Sequence, residues 1–236
     1  MKPTSESPVA IVTGAGSGIG RATALLLSEK DYQLALAGRS RGALERTGRQ
    51  LLTPWIAVPT DVSDAPGVQA LVDRTLERFG RVDALVNSAA CAAVVPIEAE
   101  TPASLRRAYE VNALGTAYAI CAVWKVFKEQ RRGCIVNVSS MATTDPFPGF
   151  LAYAATKGAV EVMVKSCMSE GREFGIRAFA VAPGAVETPM LRAAFGEDII
   201  PREQTLDPEE VARVIVDCIK GARDAEVGTT IYVPSP

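Results

Sequence analysis

Short runs of apolar, largely β-branched residues recur along the chain at 9–13, 33–37, 55–58, 84–87, 134–139, 177–182 and 229–233, with longer helix-patterned segments between them. Each run is apolar at consecutive positions rather than at alternate ones. A strand of that kind is buried on both faces, as in a parallel sheet covered by helices on each side. The alternation therefore predicts an α/β, doubly wound fold around a seven-stranded, mainly parallel sheet with helices on both faces.

The helices carry their own start and stop signals. Thr101-Pro102 and Asp207-Pro208 each set an N-cap residue before a first-turn proline, and Glu210 completes a capping box with Asp207. Residues 64–79 place Val68, Leu71, Val72, Leu76 and Phe79 on one helical face, and Gly80 ends the pattern. No repeat, low-complexity run or linker interrupts the 236 residues, a length suited to one well-buried domain, 1–236. The segment with least pattern is 187–205, between the sixth strand and the last long helix, and it is expected to form a variable substrate lid.

Composition narrows the class of partner. A formal net charge of -2, with 48% hydrophobic and 22% charged residues, gives no electrostatic reason to expect nucleic acid or an anionic membrane. A small metabolite fits better. The five cysteines, at 91, 121, 134, 167 and 218, show neither Cys-x-x-Cys spacing nor a disulfide framework. The start lacks the apolar core of a signal peptide, and no apolar run reaches the roughly 18 residues of a membrane span, so a cytoplasmic protein is expected. The absence of histidine removes the commonest metal ligand and the commonest general base. No metal site is expected, and catalysis falls to Tyr, Lys, Ser or carboxylates.

Two clusters carry chemistry. The first strand runs into Thr13-Gly14-Ala15-Gly16-Ser17-Gly18-Ile19-Gly20, a strand, glycine turn and helix start that would bring free N–H groups and a positive dipole to a phosphate. It is not the common Gly-x-Gly-x-x-Gly spacing, and no Lys-Ser/Thr follows to make a P-loop. Further on, Tyr153 and Lys157 stand four residues apart on a helical stretch, thirteen residues after Ser140. Positions i and i+4 share one helix face, and an adjacent ammonium should pull the phenol pKa below its usual value of about 10.

Thr-Gly-x-x-x-Gly-x-Gly, followed in order by Asp61-Val62, Asn87-Ser88-Ala89-Ala90, Asn112, Ser140, Tyr153 with Lys157, and Pro183-Gly184 with Thr188, resembles the short-chain dehydrogenase/reductase family in its single-domain form. The resemblance covers nearly the whole length and includes the 3-ketoacyl-carrier-protein reductases. It implies a Rossmann-type oxidoreductase that interconverts a carbonyl and an alcohol with a nicotinamide cofactor. By similarity, Gly14, Ser17, Gly18, Ile19 and Gly20 would hold the pyrophosphate and adenosine side, Asp61 and Val62 the adenine, and Asn87 and Ala89 the adenosine ribose region. Pro183 and Gly184 follow the sixth strand, and Val186 and Thr188 would hold the nicotinamide carboxamide. Tyr153 would protonate the forming alkoxide, Ser140 polarise the carbonyl, Lys157 lower the tyrosine pKa and hold the nicotinamide ribose, and Asn112 organise a water leading to solvent. Ser139 is a rival to Ser140, and the spacing to Tyr153 favours Ser140.

Where NAD-dependent enzymes put an acid on the ribose 2′-hydroxyl, the second strand ends in Gly38-Arg39-Ser40-Arg41. A guanidinium suits a 2′-phosphate, so NADP(H) is expected over NAD(H), although Arg39 stacked on adenine is the alternative. Ser88 and Ala90 depart from the usual Asn-Asn-Ala-Gly, which bears on cofactor affinity. Cys91, Met141, Phe147, Phe150, Met190, Leu191 and Phe195 are candidate pocket residues and suggest an apolar ketone or alcohol. Lys125, Lys128, Arg131 and Arg132 could meet an acidic carrier protein or simply complement a helix end. The sequence stops soon after the last apolar run, so no tail covering a neighbour's site is expected. Small and apolar residues all round 112–127 and 153–168 point to a homotetramer, with a homodimer next. A non-catalytic dinucleotide sensor, an NAD-dependent alcohol dehydrogenase and a sugar-nucleotide epimerase are the rival readings.

Overall fold

The computed structural model describes residues 7–236. The apolar runs form β1 (Val9–Thr13), β2 (Gln33–Gly38), β3 (Trp55–Pro59), β4 (Ala84–Asn87), β5 (Gly133–Val138), β6 (Ile176–Pro183) and β7 (Thr230–Val233). They make one sheet in the order β3-β2-β1-β4-β5-β6-β7. Every pairing in it is parallel, which sharpens the expectation of a mainly parallel sheet.

The connecting helices are α1 (Gly18–Glu29), α2 (Arg41–Gly48), α3 (Ala65–Phe79), α4 (Pro102–Ala108), α5 (Gly115–Gln130), α6 (Leu151–Gly171), α7 (Pro189–Ala194) and α8 (Pro208–Lys220). Because successive strand side chains point to opposite faces, Ala10 and Val12 join α1 and α8 in one core layer through Leu27, Val211, Ile215 and Ile219. Ile11 joins α3, α5 and α6 in the other through Leu71, Val123, Phe127 and Val164. Full burial of each large side chain contributes about 1.5–3 kcal/mol, so both layers need their helices.

Caps end the helices where the sequence signals them. Asp64 accepts from the Gly67 N–H at 3.2 Å, Gly80 closes α3 at φ 78°, and the Asp207 N–H donates to Glu210 at 2.7 Å. Between α4 and α5 the backbone widens into a π-helical turn, Tyr109–Leu114. Sequence periodicity does not reveal it.

All strands end at the same edge of the sheet, and between β1 and β4 their order reverses. That crevice is where a parallel α/β sheet accepts ligands.

Candidate active site

Thr13 closes β1 and ties the crevice together. Its hydroxyl donates to Val86 O at 3.3 Å and accepts from the Ser88 and Ala89 N–H groups, each at 3.1 Å. Gly14 follows at φ 69°, where a Cβ would lie 2.9 Å from Ala89 N. A Cβ on Gly20 would lie 2.5 Å from Gly14 O, so this glycine lets α1 pack on the turn. Ser17 makes no side-chain capping bond. The positive end of α1 therefore faces a cleft of about 770 Å³ with first-turn N–H groups free of a capping side chain.

Gly14, Ser17, Gly18, Ile19, Arg39, Asp61, Val62, Ala89 and Thr188 all line that cleft. The Asp61 carboxyl is held below its ordinary range, first by the Ser63 hydroxyl at 2.6 Å and also by Arg107 at 3.5 Å. No carboxylate from the end of β2 reaches the cleft. Arg39 enters it without an ion pair among the described residues, and Arg46 from α2 joins it. Arg46 and Arg107 were not among the sequence candidates; the arginine-rich stretch 39–49 is the visible signal for Arg46, and Arg107 has none.

The Asn87 side chain is turned into the protein rather than the cleft. Its amide donates to Asn137 Oδ1 at 3.0 Å, and Asn137 donates to Val160 O at 3.0 Å. The side chain is thus buried as a strut between β4, β5 and α6, and Ser88 and Ala89 face the cleft in its place.

At one end the cleft opens into a second cavity of about 240 Å³. Ile19, Ser88, Ala90, Thr188 and Met190 line both. Tyr153, in the first turn of α6, and Ser140, just past β5, stand in its wall, with Lys157 beneath them. Ser140 rather than Ser139 has the free hydroxyl: Ser139 donates to Glu161 at 2.6 Å, whereas Ser140 Oγ accepts only from the Ala142 N–H at 3.1 Å.

The electrostatics differ from the expected tyrosine and lysine pair. Burial pushes the Tyr153 phenol up, the Ser140 hydroxyl being the group that opposes the shift. Lys157 is itself lowered to about 8 by burial, and its Nζ donates to Val138 O at 2.7 Å, 5.7 Å from the Tyr153 ring centroid. The Phe150 ring stands 4.9 Å from that of Tyr153, and desolvation of the buried phenol is the largest cause of its shift. Asn112 lies outside both cavities. Its Oδ1 accepts from Cys91 N at 2.8 Å and its Nδ2 donates to Cys91 O at 2.9 Å and Thr156 Oγ1 at 3.1 Å, so its side chain clamps the β4 loop to α6.

Residues 8–198 match the pattern that defines the short chain dehydrogenases. The chain belongs to the short-chain dehydrogenase family. It is 35% identical over 210 residues to an oxidoreductase of Staphylococcus haemolyticus, covering 88% of this chain and 89% of the relative. Its fold superposes on a 3-ketoacyl-(acyl-carrier-protein) reductase from Brucella melitensis complexed with NADH, at TM-score 0.90 and 29% identity, covering 98% of each chain. A second match is an actinorhodin polyketide ketoreductase with NADPH, at TM-score 0.91 and 27% identity, covering 99% of this chain and 98% of that one.

In this short-chain dehydrogenase the remaining pocket candidates gather as read, with one exception. Met141, Phe147, Phe150, Met190, Leu191 and Phe195 line the smaller cavity together with Pro183, Gly184 and Val186. Cys91 lines the larger cleft instead, and burial raises its thiol pKa. Phe195 packs edge-on against Phe147 at 4.8 Å and against Phe150 at 5.6 Å, bringing the 187–205 segment down on the pocket. Arg192 staples that segment, donating to Glu187 at 2.9 Å and to Ile200 O at 2.7 Å, and it does not enter the cavity. The basic cluster at the end of α5 is engaged by its own surroundings: Lys128 stands 4.4 Å from the Phe174 ring, Lys125 pairs with Glu129 and Arg132 with Asp83.

Proposed function

We propose that the protein interconverts a ketone and a secondary alcohol, using NADP(H) in preference to NAD(H), on substrates with an apolar body. The observation that carries this reading is the meeting of Tyr153, Ser140 and Lys157 where an apolar cavity opens onto a glycine-lined cleft.

The cleft fits a dinucleotide, since a side chain at Gly14 would fill its floor and α1 presents its positive end without a capping side chain. Gly14, Ser17, Gly18 and Ile19 would hold the pyrophosphate, Asp61 and Val62 the adenine, Ala89 the ribose region, and Pro183, Gly184, Val186 and Thr188 the nicotinamide. The pair Arg39 and Arg46 suits a 2′-phosphate. When bound, the nicotinamide supplies or takes up the hydride at the carbonyl carbon. The chain's own residues act on the oxygen: Ser140 donates a hydrogen bond to it, and Tyr153, kept protonated by its raised pKa, gives it a proton in the reductive direction. Lys157 keeps ammonium hydrogens beyond the one given to Val138 O, and these can reach a ribose hydroxyl.

Exposed Leu114 and Val162 on the α5 and α6 face support a homotetramer or homodimer. Five free cysteines suit a reducing compartment such as the cytoplasm.

Initial rates with a panel of ketones test the reading. NADPH is expected to exceed NADH in kcat/KM by roughly ten- to a hundredfold, and Arg39→Ala to erode that margin. Tyr153→Phe should abolish turnover while NADPH still binds. Equal or better rates with NADH would overturn the cofactor preference, and NADPH binding with no turnover of any carbonyl would leave a sensor.

A further inference from the structure

Two charged side chains line the smaller cavity, beside the hydroxyls of Ser140, Tyr153 and Thr188. Lys157 sits at its inner end, already donating to Val138 O, and Asp145 stands at its mouth. The turn after Ser140 sets Asp145 there, its N–H donating to Met141 O at 3.0 Å. Among the described residues its carboxylate has no hydrogen bond and no ion pair. Arg192, the lid cation, is committed to Glu187 and does not line the cavity. The same mouth carries Phe147, 44% exposed, whose ring packs within 6.3 Å of Phe150.

An unpaired carboxylate and a set of aromatic faces attract the same kind of group. A neutral hydroxyl would satisfy only the carboxylate, whereas an ammonium gains from the charge-assisted hydrogen bond and from the ring quadrupoles together. A carboxylate on the ligand would be repelled by both. We propose that Asp145 makes the pocket selective for substrates carrying a protonated amine at the end remote from the carbonyl, and selective against anionic ones. This inference rests on reading the cavity as the place where the carbonyl reacts. The amine takes no part in the redox step.

Acetophenones bearing a para aminomethyl, ethyl or carboxylate group test it, by kcat/KM with NADPH and by calorimetric titration of the same ketones without cofactor. The aminomethyl compound is expected to exceed the ethyl compound, and the carboxylate to fall below it. Asp145→Asn should reduce the aminomethyl-to-ethyl ratio by about two- to fivefold, the range for an ion pair open to solvent. Asp145→Lys should invert the order towards the carboxylate. Turnover without charge selectivity, or selectivity unchanged in Asp145→Asn, overturns the inference and leaves the oxidoreductase reading intact. Charge-selective binding with no turnover keeps the inference and sinks that reading. Failure of all three compounds both to bind and to react overturns both.

Discussion

Lys157 is a buried cation with one bonded carbonyl, and the site is built around its discomfort. Its pKa lies at about 8, below the ordinary 10.5, so the folded chain sheds this proton more readily than the unfolded chain does. Below about pH 8 the full cost of the buried charge applies, and it is relieved as pH rises from 8 to 10.5. That cost is about 3 kcal/mol at neutral pH. Lys157→Met, which also loses the bond to Val138 O, should make the dinucleotide-free protein more stable by about 1–2 kcal/mol at pH 7, with no gain at pH 10, and inactive throughout. Urea denaturation at the two pH values measures it, and a variant less stable at pH 7 would show that the ammonium is comfortable where it lies. That Tyr153, Ser140 and Lys157 meet at one cavity was legible from the spacing of the family motifs they match. Their electrostatics were not, since desolvation depends on Phe150 and on a pocket that only folding assembles. The inward placement of the Asn87 side chain follows from its pairing with Asn137 on β5, a partner fifty residues away that local pattern does not show.

At the level of elements, continuous apolar runs and capping signals identified strands and helix starts to within a residue or two. The π-helical turn was invisible because its cause is tertiary: Asn112 bonds Cys91 on one side and Thr156 on the other. Asn112→Ala should leave the Cys91 N–H and carbonyl unpartnered and cost about 2–4 kcal/mol. A denaturation midpoint unchanged from wild type would show that the turn holds without its clamp. The short helix α7 has a start signal, for Thr188-Pro189 repeats that of Thr101-Pro102, and Thr188 Oγ1 accepts from the Leu191 N–H at 3.1 Å. Its six residues carry too little periodicity to stand out as a helix.

For the whole molecule, the outer face of α5 and α6 leaves Val162 59% and Leu114 43% exposed around a groove lined by Ala117, Ile120, Trp124 and Met163. A second copy covering this face would account for that exposure, and Val162→Asp should shift the assembly towards monomers in light scattering at micromolar concentration. A wild-type monomer under the same conditions would remove the argument. The strand order has a consequence in time as well as in space. β1 acquires β2 as a neighbour within some twenty residues, yet its other partner is β4, with Ala10 opposite Ala84. A ribosome adding roughly 5–20 residues per second takes about 4–15 s to cover that interval. Throughout it, one edge of a strand apolar at four of its five positions stands open to whatever nascent chain or chaperone reaches it first.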